Sequence, residues 1–117
     1  MEAELNHILT DLGMSPTHRD FRWLKEVILL AVHHPGTWQV RYLERIGKRE
    51  CITRERVRQI LYKAVWDHWT PRSVHILSKH FGHPIQTKFQ YVKSNHIEFI
   101  TLMSEELRKK YKVLSEH

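Results

Sequence analysis

An all-α fold of six helices in a single domain is what this sequence predicts. Three observations carry that reading. Cap-and-stop signals recur along the chain, apolar residues fall at helical spacing, and the alternation of a half-buried strand is nearly absent. A chain of 117 residues is one domain's length, enough for one modest core. It has no internal repeat and no low-complexity tract.

The first helix runs from Glu2 to Leu12, with Leu5, Ile8, Leu9 and Leu12 on one stripe and Gly13 as its stop. Ser15 then caps a second helix with Pro16 at its first position, where the missing N–H costs nothing. Phe21, Leu24, Val27, Ile28, Ala31 and Val32 make this the most apolar segment and the expected central helix, closed by Pro35-Gly36. Thr37 caps a short helix from Trp38 to Lys48, with Val40, Leu43 and Ile46 inward. Thr53 caps the next, from Arg54 to Trp69, and Thr70-Pro71 opens a fifth, from Pro71 to Phe81, stopped by Gly82. Residues 83–94 form the one long irregular stretch, after which Asn95 and Glu98 make a capping-box pattern for a last helix to Tyr111.

Charge narrows the partner. The net charge is +6, and residues 41–63 hold eight Lys/Arg against three acids. A basic balance suggests an anionic partner, but a solvated helical hairpin carries such a run harmlessly, and for the bare cluster the solvated face is the favoured reading. The lone Cys51 excludes an internal disulfide and a thiolate zinc cluster within one chain, and it suits a reducing compartment. With no signal peptide and no membrane-length apolar run, the expected location is cytoplasmic, at the nucleoid, with no membrane partner.

The pair of helices at about 37–48 and 53–69 meets the pattern of a helix-turn-helix. That motif needs a small residue where its helices cross and apolar residues in a fixed register around it. With Gly47 as the small residue, Ile46 precedes it, and Ile52, Val57 and Ile60 follow by five, ten and thirteen residues. Glycine is expected at the turn, but Cys51 stands there. On the second helix Val57, Ile60, Leu61, Ala64 and Val65 form the inward stripe. Glu55, Arg56, Arg58, Gln59 and Tyr62 are then the candidate base contacts, because arginine forks suit guanine edges and glutamine suits adenine. Arg41, Arg45, Lys48, Arg49, Thr53, Arg54 and Lys63 are the candidate phosphate contacts, which position without specifying. Three arginines in the first turns oppose the helix dipole, and an external polyanion would offset that cost.

The same residues resemble a known family, the C-terminal DNA-binding effector domain of the master sporulation response regulator of endospore-forming bacteria. The resemblance runs from Ile8 to Lys112, through "LGMSPTHRDFRWLKEVI", Arg56-Val57, Ala64, Trp69, Ser78, Phe81-Gly82, "SNHIEFI" and "EELR". It implies six helices, the fourth reading DNA, head-to-tail pairs on tandem promoter elements, and activation or repression of transcription with RNA polymerase as a further partner. At the positions matching Arg56, Arg58 and Gln59 the family carries arginine, glutamate and arginine, so only Arg56 is kept. The promoter element preferred here should therefore differ. No receiver domain precedes the effector region: either it has been removed or the regulator is free-standing, and an initiator Met followed at once by a helix slightly favours the second.

Other chemistry finds little footing. His75, His80 and His83 lack a carboxylate or thiolate at ligand spacing, so no metal or cofactor is expected. No nucleophile elbow, phosphate loop or catalytic acid pair is present, so no catalytic residue is assigned. Three of the four tryptophans belong in the core, whereas Trp66 falls outward on the fourth helix as a candidate contact between protomers. That leaves an alternative in which the chain is a protein-interaction module, pairing with a full-length regulator or with polymerase as an antagonist.

Overall fold

The computed structural model describes residues 1–85 and 95–113, and all the regular structure among them is helical. The helices are α1 (Glu2–Asp11), α2 (Arg19–His33), α3 (Trp38–Glu50), α4 (Arg54–His68), α5 (Ser73–Phe81) and α6 (His96–Tyr111). The expected irregular stretch lies largely outside the described residues. No described helix is long and apolar enough to cross a membrane.

Helix α2 is central, as its composition demands. It packs against α6, α3, α4 and α1. Leu24, Val27, Ile28, Ala31 and Val32 have no exposed surface at all. Each fully buried Leu, Ile or Val contributes about 1.5–3 kcal/mol, so this helix anchors the core. Trp23, Trp38 and Trp69 are buried with it, while Trp66 is 41% exposed.

Three sequence expectations need correction. Ser15-Pro16 does not open α2. Residues 15–18 form a turn closed by His18 N–H to the Ser15 carbonyl, and His18 becomes the cap, its Nδ1 accepting from Asp20 N–H at 3.2 Å. Pro16 is accommodated in that turn, so cap-plus-proline marked a boundary three residues early. The same displacement occurs at Thr70-Pro71. Thr70 and Ser73 exchange bonds across a turn, the Thr70 carbonyl taking Ser73 N–H and Ser73 Oγ taking Thr70 N–H, before α5 begins. Val40 is the third: it is 67% exposed, because Trp38 and Tyr42 occupy the inward stripe of α3 with Leu43, Ile46 and Gly47.

The turn between α3 and α4 is three residues long, and two backbone features make it possible. Gly47 lies against it so closely that an added Cβ would stand 3.1 Å from the Ile52 carbonyl oxygen. Cys51 ends α3 in the left-handed conformation, at φ 56° and ψ 45°, with the Cys51 and Ile52 N–H groups both directed to the Gly47 carbonyl. Thr53 then caps α4, its Oγ1 accepting from Arg56 N–H at 3.1 Å. Beyond the cap, Val57, Ile60, Leu61, Ala64 and Val65 are all buried.

A non-glycine residue in the left-handed region carries a steric cost of about 1–2 kcal/mol. Cys51→Gly should therefore raise stability by about 1 kcal/mol, and the β-branched Cys51→Val should lower it by more than that. Denaturant midpoints of the two variants, with unchanged slopes, test both signs. Equal midpoints would mean that this turn stores no strain.

Candidate nucleic-acid interface

The buried stripe of α4 fixes what its other side presents. Glu55, Arg56, Arg58, Gln59, Tyr62, Lys63 and Trp66 are all exposed. The five candidate base contacts therefore share one solvent-facing helix surface. The candidate phosphate contacts Arg41, Arg45, Lys48 and Arg49 are exposed on the neighbouring α3, and Thr53 and Arg54 are exposed where α4 begins.

Ion pairs divide these cations into two groups. Arg49 Nη1 holds both carboxylate oxygens of Glu26, at 2.8 and 3.0 Å, and its Nε reaches Glu50. The Glu26 bond chiefly raises the Arg49 pKa and ties α3 to α2. Arg54 pairs with Glu44 at 3.4 Å, and Lys63 with Asp67 at 2.7 Å, one turn further along α4. Arg58 reaches Glu55 at 3.4 Å. Arg41, Arg45, Lys48 and Arg56 have no ion-pair partner among the described residues. Thr53 spends its oxygen on the helix cap and retains a hydroxyl hydrogen to donate.

Two residues that the sequence reading did not single out complete the face. Tyr42, on α3, is 1% exposed, and its hydroxyl is 3.0 Å from His96 Nε2 at the start of α6. The Arg58 guanidinium bears on both. Its charge works against the rise of the Tyr42 pKa and opposes protonation of His96. Burial, seconded by Arg58, holds the His96 pKa down at about 4, so the ring is neutral at pH 7. Burial also raises the Tyr42 pKa. If the Tyr42 hydroxyl donates to Nε2, the imidazole proton sits on the buried Nδ1, which has no hydrogen-bond partner. Tyr62 meets the His96 ring edge-on at 6.5 Å and stacks on Trp66 at 5.9 Å. Glu55, Arg58, Gln59, Tyr62 and His96 line a hollow of about 290 Å³. Residues 42 and 96 lie 54 positions apart, and only the packing of α6 against α2 and α4 brings them together.

Two of the three histidines considered as metal ligands, His80 and His83, have separate carboxylate partners. His80 Nε2 is 2.6 Å from Asp11 on α1, and His83 Nε2 is 2.7 Å from Glu106 on α6. They clamp the region around α5 to its neighbours, and the Glu106 bond leads the causes that raise the His83 pKa. Among the described residues, no group of three or more His, Cys, Asp or Glu could hold a metal ion.

The neutral, buried His96 makes stability depend on pH with a definite sign. Its folded pKa of about 4 lies below its ordinary value of 6.5, so the unfolded chain binds the proton more readily. Its contribution is complete above the unfolded pKa and is lost as pH falls from about 6.5 towards 4, a loss on the order of 3 kcal/mol. His96→Gln, which keeps an acceptor for Tyr42, should lose less stability than the parent between pH 7 and 4. Urea unfolding at both values measures the difference, and parallel losses would show that His96 is not held neutral.

Comparison with protein-family models, with curated proteins and with solved structures returns no match for this chain.

Proposed function

We propose that the chain is a sequence-specific, double-stranded DNA-binding transcriptional regulator. In this reading α3 and α4 form a helix-turn-helix and α4 enters the major groove. The observation that carries it is a single exposed face of α4 bearing Arg56, Arg58 and Gln59, flanked on α3 by the unpaired Arg41, Arg45 and Lys48. The close approach at Gly47 is the crossing that such a motif requires. The resemblance to the sporulation effector domain supports the same face, and a regulator of this kind would work at the nucleoid in the cytoplasm. Arg56 and Arg58 offer donor forks to guanine, Gln59 offers an amide to adenine, and Glu55 offers an acceptor to cytosine N4.

Phosphate contacts are expected from the cations that the fold leaves unpaired. Arg41 and Lys48 should displace counterions, so that affinity falls steeply with salt. Arg49 belongs to a different class, since removing it also breaks the bond to Glu26.

A second reading rests on Tyr62 and Trp66, a stacked pair with 43% and 41% exposure. Aromatic residues concentrate at protein interfaces. The pair would serve as a contact between head-to-tail protomers, or dock the chain on RNA polymerase or on a full-length regulator that it antagonises.

Binding to a random duplex pool, followed by selection, tests the main reading. Lys48→Ala should weaken all duplexes alike and flatten the salt slope by about one unit, leaving stability unchanged. Arg49→Ala should cost stability as well. Arg56→Ala should lose about 1–3 kcal/mol on the selected site and little on random duplex. The double change Arg58→Glu with Gln59→Arg should move preference towards the family's element. Affinity indifferent to salt would overturn DNA binding. A parent chain that already prefers the family element would overturn the assignment of Arg58 and Gln59.

A further inference from the structure

Away from the α4 face, the exposed side of α2 with α1 and one residue of α3 forms an open cleft of about 920 Å³. That is the size of a small-molecule site. Phe21, Leu29 and Leu30 give it an apolar lining, and Arg22, Lys25 and Arg45 bring positive charge. The acids in the cleft are already engaged. Glu2 faces Lys25 at 3.6 Å, and Glu26 is held by Arg49. Arg22 and Arg45 have no ion-pair partner among the described residues. Asn6, also lining the cleft, keeps a buried Oδ1 with no hydrogen-bond partner.

We infer that this cleft binds a small amphipathic anion, a carboxylate, sulfonate or phosphate monoester carried on an aromatic or alkyl body. The two unpaired guanidinium groups supply charge and donor forks for the anionic head. The leucines and Phe21 suit the body. A nucleic-acid backbone fits poorly, because it would leave the apolar lining uncovered. The inference does not rest on DNA recognition, although it shares Arg45 with that reading, and is tested without nucleic acid.

The probe is 8-anilinonaphthalene-1-sulfonate, which joins an anion, an aromatic body and an N–H. Fluorescence titration of the full chain at pH 7 should show one saturable site per chain. Arg22→Gln with Arg45→Gln should weaken it at least tenfold, while circular dichroism stays unchanged because both side chains are exposed. Lys79→Gln with Lys112→Gln, which removes the same charge outside the cleft, should leave binding within twofold. The uncharged N-phenyl-1-naphthylamine should bind at least tenfold more weakly than the sulfonate and be indifferent to the arginine variants. Absent saturation, equal weakening by both charge pairs, or equal affinity for the neutral probe would each overturn the inference.

Discussion

The close approach of α3 and α4 at Gly47 is the constraint on which the rest of this architecture rests. A Cβ there would meet the Ile52 carbonyl oxygen at 3.1 Å, tighter than an ordinary contact, so any side chain at this position would push the turn away from α3 by a few tenths of an ångström. Once the turn is tight, Ile46, Ile52, Val57 and Ile60 can meet in one apolar junction above α2. The rotation of α4 is then fixed, and with it the identity of every exposed residue on the helix. Slipping α4 by one residue would rotate its stripe by about 100° and bury Arg58 in place of Val57. The cost of burying an unpaired charge excludes that register. Cys51 accepts a left-handed backbone in the service of the same turn, where glycine would do so without steric penalty.

The fold class and much of the candidate face were legible because they depend on local rules. Cap identity placed the starts of α4 and α6 at Thr53 and Asn95, and helical spacing separated Val57, Ile60 and Leu61 from Arg56, Arg58 and Gln59. Where proline followed a cap, the same rules misplaced the boundary, because a proline-containing turn and a proline-led first helical turn share a sequence signature. Val40 was misread for a different reason. A short amphipathic helix with Trp38 and Tyr42 available can bury larger side chains, and greater apolar area outweighs one valine. The Tyr42–His96 pair was not legible at all. It is a tertiary contact between helices that are not neighbours in sequence, and neither residue carries a local signal of its partner.

Arg58 bears on that buried pair. An arginine on a helix surface ordinarily samples many rotamers, and ordering it on binding costs entropy. Here the guanidinium reaches Glu55 on its own helix at 3.4 Å, which restricts it. Its charge also opposes protonation of His96, whose burial already keeps the ring neutral. Arg58, Gln59, Tyr62 and His96 line one hollow with Glu55.

The arginines at the start of α4 no longer require a single explanation. Each opposes the helix dipole by a few tenths of a kcal/mol, and the fold answers part of that cost internally. Thr53 supplies a cap worth about 1 kcal/mol, Glu44 lies against Arg54, and Glu55 lies against Arg58. Those pairs are exposed and individually weak, but they lower the local excess of charge. What the fold leaves unanswered is narrower and more informative. Arg56 on α4, with Arg41, Arg45 and Lys48 on α3, stands without an ion-pair partner among the described residues. In the proposed reading a polyanion would meet these four exposed side chains, rather than the total charge of the segment. Arg45 belongs to both that set and the α2 cleft, so an anion bound in the cleft would compete with a phosphate for the same guanidinium.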